Sequence, residues 1–188
     1  MTKLSHTQMR DVRSKIGMLF QGAALFDSMS VRENIAFPLV ERAGPHIHRS
    51  EVNARVDEVL ERLKLSPLAP LMPHSISAGQ RKRVGLARAI VTRPQVMIYD
   101  EPTTGQDPIM IRYVDDMIEE AHKEFNLTSI VISHDMQSTF RIADRIAMLH
   151  KGEIIAFGPP QTLLESSHPE VRKFIFAGSS PPPPPSHS

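Results

Sequence analysis

Cysteine and tryptophan are both absent from the 188 residues. Without cysteine there is no disulfide, no thiolate zinc site and no cysteine nucleophile, which fits a reducing compartment. An excess of one charge is also lacking. The 22 Lys and Arg stand against 21 Asp and Glu, a formal net charge of +1, so the surface is not one built mainly to hold nucleic acid. No run approaches the roughly 20 apolar residues that cross a bilayer, and residues 1–15 are polar, without the apolar stretch of a secretory signal. The expectation is a cytosolic chain that meets a membrane through a partner. What remains is ordinary: 40% apolar and 23% charged residues describe a globular protein, and the length suits one domain with a real core.

Short apolar runs rich in β-branched residues at 16–20, 96–99 and 129–133 read as buried strands. Runs at 145–149 and 153–157 flank Lys151-Gly152 and read as a late hairpin. Between them, residues 51–63 space Val52, Val56, Val59, Leu60 and Leu63 on one helical face. Residues 80–91, closed off by Pro94, and 109–125 are further helices. Strands alternating with helices predict an α/β fold with a parallel sheet. The stretch 31–75 reads as mostly helical, an insertion rather than part of the sheet. A polyproline tail at 181–185 is extended and solvated by default, with an SH3-type ligand as the other reading.

The segment 96–102 is an apolar run ending in two adjacent carboxylates, Asp100 and Glu101. In a parallel sheet strand ends face the ligand crevice, where one carboxylate can hold Mg²⁺ and the next can polarise an attacking water. Plain strand ends carry the same residues, so both readings stand. Ser77, Ala78, Gly79 and Gln80 form a small-residue turn opening a helix, which suits a phosphate or serves as a helix cap with a solvated basic face behind it. His134 ends a strand, where it can reach a phosphate or be merely exposed. Gln21 follows the first strand. His46 and His48 could mark a metal site or lie exposed in a polar loop. Arg81-Lys82-Arg83 could meet nucleic acid or face solvent. Four strand-end and helix-start features in this order are hard to assemble by accident.

In that order the sequence resembles the nucleotide-binding subunit of ATP-binding-cassette (ABC) transporters, over nearly all of residues 16–176. Leu19-Phe20-Gln21 resembles the Q-loop and Ile76-Ser77-Ala78-Gly79-Gln80 the signature motif, with Ile76 and Ala78 replacing the common Leu and Gly. Residues 96–101 resemble Walker B, Thr104-Gly105-Gln106-Asp107 the D-loop, and Ser133-His134-Asp135 the switch histidine. The runs at 20–26 and 105–108 look most like the Mla/Mce-type phospholipid-trafficking ATPases. The resemblance implies an ABC-type P-loop NTPase fold over residues 1–178, with a helical signature subdomain at about 31–91 and a disordered tail at 179–188. It implies ATP and Mg²⁺, with Asp100 and Gln21 at the metal, Glu101 as general base and His134 at the γ-phosphate. Ser77, Ala78, Gly79 and Gln80 would touch ATP held by a second ATPase subunit in a head-to-tail dimer, and Asp107 would communicate across it. A transmembrane permease, a lipid-binding accessory protein and a place on the inner face of the cell membrane follow from the same resemblance.

No glycine in the sequence is followed by lysine. The Walker A loop, Gly-x-x-x-x-Gly-Lys-Ser/Thr, whose amides and Lys cradle the β-phosphate, is therefore not present. The expectation is a fragment, because Asp100, Glu101 and His134 have no task without bound ATP; a degenerate protein is the other explanation. Such a chain should expose unpaired sheet edges and apolar surface, and should not hydrolyse ATP alone. Two competing readings are a non-catalytic module that lends its signature to a partner's ATP site, and an ABC-type ATPase acting on DNA or ribosomes. The latter usually carries long coiled coils or a tandem cassette, and neither is visible.

Overall fold

A computed structural model describes residues 4–43 and 48–176. The polyproline tail and His46 lie outside the described residues. The chain divides into two compact units, Met1–Ser133 and His134–Ser188.

The first unit contains helices α1 (His6–Ser14), α2 (Val31–Ala43), α3 (Arg49–Arg62), α4 (Ala78–Ile90) and α5 (Pro108–Phe125). Its strands are β1 (Ile16–Leu19), β2 (Val96–Asp100) and β3 (Thr128–Ile132), paired in the order β1-β2-β3. Both pairings are parallel, with Leu19 opposite Tyr99 and Asp100 opposite Ile132. The strands therefore end together at one edge. The predicted α/β fold with a parallel sheet is found, and the described residues of 31–75 are mostly helical, as expected: α2, α3 and two short 3-10 turns at Ser66–Leu68 and Pro73–Ser75.

Local chemistry sets the helix limits. Ser77 caps α4 by accepting from the Gln80 amide, and the Gln80 side chain accepts from the Ser77 amide in return, which satisfies two donors that a helix start leaves orphaned. Asp107 caps α5, Pro108 sits in its first turn, and left-handed Asn126 closes it. Helix α4 stops at Ile90, short of the expected residue 91. The Arg93 amide folds back to the Ile90 carbonyl at 2.7 Å and Arg93 takes a φ of 52° before Pro94 is reached. Helix α1 was not expected; it has no buried residue and so no apolar stripe to read, but a Ser5–Gln8 capping box starts it.

The core lies between the sheet and the helices, around Val31, Ile35, Leu60, Val84, Leu86, Ile90, Met97, Tyr99, Val114 and Met117. Each such side chain contributes roughly 1.5–3 kcal/mol by leaving water. Helix α4 covers the face carrying Gly17 and Leu19: a Cβ on Gly17 would stand 3.2 Å from the Ala89 carbonyl, and one on Gly85 3.1 Å from Leu19 Cδ1. Late residues of α4 thus meet early residues of β1, so the helix runs antiparallel to the strand and its N-terminus points to the sheet's carboxyl end. The expectation of fully buried strands is corrected on the opposite face, where Met18, Ile130 and Ile132 remain 37%, 50% and 49% exposed. Apolar runs leave both faces greasy, but α4 packs against only one of them.

The second unit contains α6 (Met136–Ile142), the antiparallel hairpin of β4 (Ile146–His150) and β5 (Glu153–Gly158), α7 (Pro160–Leu164) and α8 (Pro169–Ile175). The hairpin is the expected one, turning at left-handed Lys151 and Gly152. Ile146, Leu163 and Val171 form its core.

Candidate functional site

The carboxyl end of the sheet gathers three of the expected residues. Asp100 is the last residue of β2, Glu101 follows it, and exposed Gln21 lies two residues beyond β1. Glu101 has a φ of 48°, a left-handed conformation that costs a non-glycine residue roughly 1–3 kcal/mol and persists only where its surroundings impose it. Here its amide donates to the Ile132 carbonyl at 2.9 Å, pinning it over the end of β3. Its carboxylate Oε2 accepts from Thr104 Oγ1 at 2.6 Å. The chain thus turns sharply between the two carboxylates, so that neighbours in sequence are separated in direction. A plain strand end has no need of that turn.

Because α4 runs antiparallel to the strands, Ser77 opens the helix at this same end. Ser77 and Ala78 are exposed and Gly79 is buried. A Cβ on Gly79 would lie 3.1 Å from Tyr113 Cε1 and 3.3 Å from Met110 Cε, so the missing side chain lets α4 and α5 approach closely. The Ser77 hydroxyl accepts from the Gln80 amide at 3.2 Å, a bond that leaves its own proton to donate outward. The capping reading and the phosphate reading are therefore compatible. Asp107 Oδ1 accepts from the Ile109 and Met110 amides at 2.9 and 3.0 Å, which gives it a structural task at the start of α5.

His134 follows β3 by two residues, is exposed, and opens the second unit. Its neighbour Asp135 caps α6 through the Gln137 and Ser138 amides.

Three residues escaped the sequence reading. Asn34, fully buried in α2, accepts from the Phe26 amide at 2.8 Å and donates to the carbonyls of Phe26, Met29 and Ser30. It holds the loop after Gln21. Arg88 and Lys82 of α4 also bond to backbone carbonyls of the site's loops. The sequence carries no clear signal for Asn34, which follows the charged Arg32 and Glu33, and the two cations read as a solvated helix face. His48 is exposed and stands at the start of α3 without a side-chain capping bond.

A parallel sheet with an acidic pair and a glutamine at its carboxyl end, beside a capped helix start, has the layout of a nucleotide-binding α/β protein. Residues 1–104 match the family model described as ABC transporter, and the chain belongs to that family. It is 39% identical over 175 residues to the methionine import ATP-binding protein MetN of Xanthomonas campestris, covering 93% of this chain and 51% of that one. It is 38% identical over 180 residues to the intermembrane phospholipid transport system ATP-binding protein MlaF of Haemophilus influenzae, covering 96% and 67%. The chain spans about half the length of the MetN relatives it matches. Among solved structures, cbiO1 from Clostridium perfringens, part of the ABC transporter complex cbiONQ, superposes with a TM-score of 0.76 at 31% identity, covering 84% of this chain and 62% of that one. The fold is thus the ABC-type P-loop NTPase fold.

Proposed function

We propose that the chain serves ATP binding and hydrolysis in a phospholipid-trafficking ABC transporter. The observation that supports this most is the left-handed Glu101, pinned to β3 beside Asp100 at the sheet's carboxyl end. The donor set fits Mg²⁺-ATP: hard oxygens from Asp100 and Gln21 suit a cation that keeps several waters and takes its other ligands from phosphates. Among the described residues no three His, Cys, Asp or Glu gather around a metal, so a protein cage is not what these residues offer. When bound, Mg²⁺ neutralises charge that develops on the phosphates.

In this reading Asp100, with Gln21, holds the hydrated cation and Glu101 accepts a proton from the attacking water. The bond from Thr104 orients its carboxylate. His134 donates to the terminal phosphate. Ser77, Ala78, Gly79 and Gln80 face the triphosphate of a second ATPase subunit, where the Ser77 proton and the α4 dipole stabilise negative charge, and Asp107 lies on the D-loop path between the two sites. A membrane permease couples to the Gln21 loop. Among the described residues no helix is long and apolar enough to cross a membrane, so the chain would sit against the inner membrane face through that permease. Phospholipid as cargo, with a lipid-binding accessory protein, rests on the Mla-like runs at 20–26 and 105–108 and on the likeness to MlaF; the likeness to MetN makes methionine the competing cargo.

A second reading has a specific observation in its favour. The sequence has no Gly-Lys step, yet the Ser77 cap is intact, as suits a module that completes a partner's ATP site without hydrolysing its own nucleotide.

The test joins a Gly-x-x-x-x-Gly-Lys-Ser/Thr lobe from an ABC ATPase to this chain. Turnover that Glu101→Gln abolishes, with the variant trapped as an ATP-bound dimer, supports the first reading. Near-parental turnover by Glu101→Gln sinks the assignment of the base. ATP-dependent capture of an intact ABC subunit without turnover supports the second reading. Stimulation of the reassembled transporter by phospholipid vesicles rather than by methionine decides the cargo.

A further inference from the structure

The two segments that carry Gln21 and Glu101 are each held by a cation from α4. Arg88 donates from Nη1 to the Ala24 carbonyl at 2.8 Å and from Nη2 to the Ala23 carbonyl at 2.8 Å. Ala23 and Ala24 have φ values of 60° and 47°. Successive left-handed residues other than glycine are disfavoured by contact between Cβ and the carbonyl, so such a pair needs an external hold. Gly85 lets the helix come close enough to supply it: a Cβ there would stand 3.0 Å from Ala23 Cβ. The Arg88 guanidinium also lies over the Phe26 ring, 5.6 Å from its centroid. On the same helix Lys82, buried at 6% exposure, donates from Nζ to the Pro102 carbonyl. Pro102 directly follows Glu101.

A lysine or arginine placed to solvate a helix face keeps its head in water. Lys82 does not, Arg88 is half-buried with both prongs turned to backbone carbonyls, and burial pulls the pKa of each below its ordinary value. Removing a cation from water is costly unless hydrogen bonds offset it, and the bonds of these two cations go to the backbone beside Gln21 and Glu101.

We propose that Arg88 and Lys82 are positioning residues of the ATP site: from one helix they fix the loop of Gln21 and the turn of Glu101, so that α4 sets both. This rests on the reading of Gln21 and Glu101 as site residues. Ser77 opens the same helix, and the rise from Ser77 to Arg88 spans about 16 Å of rigid rod. Whatever seats Ser77 therefore shifts the base and the glutamine loop together.

The lack of cysteine allows a direct test on the whole 188-residue chain. Gly22 adjoins Gln21, and a Cβ there meets no atom within 4 Å, so a nitroxide on Gly22→Cys reports the loop. A second nitroxide on Ile109→Cys, at 81% exposure on α5, is the control. Arg88→Met is expected to sharpen the line shape at position 22 and leave that at 109 unchanged, with Arg88→Lys intermediate because an ammonium cannot reproduce the two-pronged bond. In parallel, Lys82→Met should speed hydrogen exchange of the Glu101, Thr104 and Gln106 amides about tenfold relative to Val96–Tyr99, and Lys82→Arg should restore part of the protection. Loosening of both probes or both segments together means that the cations only stabilise the unit and overturns the proposal; so does no change at either. Failure of the ATP reading appears elsewhere, as undiminished turnover in Glu101→Gln, and leaves these spectra as they are.

Discussion

Thr104 donates its hydroxyl proton to the carboxylate of Glu101 across 2.6 Å. The bond closes a ring over a turn whose first residue is held left-handed. A base must present one lone pair in one direction, and this contact is what restrains the Glu101 side chain locally. Replacing Thr104 by Val keeps the shape and removes the donor. We expect folded stability to drop by about 1 kcal/mol. In the lobe-completed ATPase, kcat should fall about tenfold with KM within about twofold. Denaturant unfolding and steady-state turnover measure the two effects, and an unchanged kcat would show that Thr104 orients nothing.

Gly17 has no room for a side chain. A Cβ there would meet Met97 Sδ at 2.4 Å, Pro94 Cγ at 3.0 Å and the Ala89 carbonyl at 3.2 Å. Gly17→Ala should therefore destabilise the first unit by roughly 1–3 kcal/mol through overpacking. The shift of the urea midpoint reads this out, and a neutral result would mean that β1 and α4 are farther apart than described.

Asn34 satisfies one amide and three carbonyls while fully buried. Asn34→Ala should cost about 2 kcal/mol, since it strands the Phe26 amide and the Met29 carbonyl while the Phe26 and Ser30 carbonyls keep backbone partners. Asn34→Asp should be worse near neutral pH, because it turns a carboxylate oxygen toward the carbonyls that the Asn34 amide nitrogen satisfied. Equal stability of the two variants in thermal unfolding would contradict this geometry.

Tyr99 is fully buried in β2, and burial pushes its phenol pKa up to about 12. The unfolded chain loses this proton near pH 10, so the folded state holds more protons between the two values. Its contribution is complete below pH 10 and is lost as pH rises toward 12, by about 3 kcal/mol. Ser129 stands near enough to the Tyr99 hydroxyl to offset the shift slightly, but no contact among the described residues has hydrogen-bond geometry, so Tyr99→Phe should be nearly neutral at pH 7 and should flatten this alkaline limb. Parallel alkaline stability curves for Tyr99→Phe and the parent would refute the assignment.

Much of the first unit was legible before any coordinates. The runs at 96–99 and 129–133 are apolar and bounded by turn residues, and both became strands of the parallel sheet with ends displaced by a residue. The helix expected at 109–125 became α5, and the turn read as a Ser77 cap does open α4, because capping is a contact between residues a few positions apart. Asp100, Glu101 and Gln21 were legible as strand-end residues for the same local reason. Asn34, Arg88 and Lys82 were not. Arg88 reaches carbonyls 64 and 65 positions away, and a lysine bound for a buried carbonyl looks the same in sequence as one bound for water.

The amino-acid sequence by itself determined the alternation of strands and helices, the capped helix starts and the order of the chemical groups along the chain, since all of these rest on neighbours within a few residues. Only the tertiary structure decided that Glu101 turns left-handed over the end of β3, that α4 lies antiparallel to the strands with Ser77 at their carboxyl end, and that one sheet face stays exposed at Met18, Ile130 and Ile132. Each of those outcomes depends on which distant surfaces meet. An apolar or charged side chain specifies that it will be covered or bonded, but not by what.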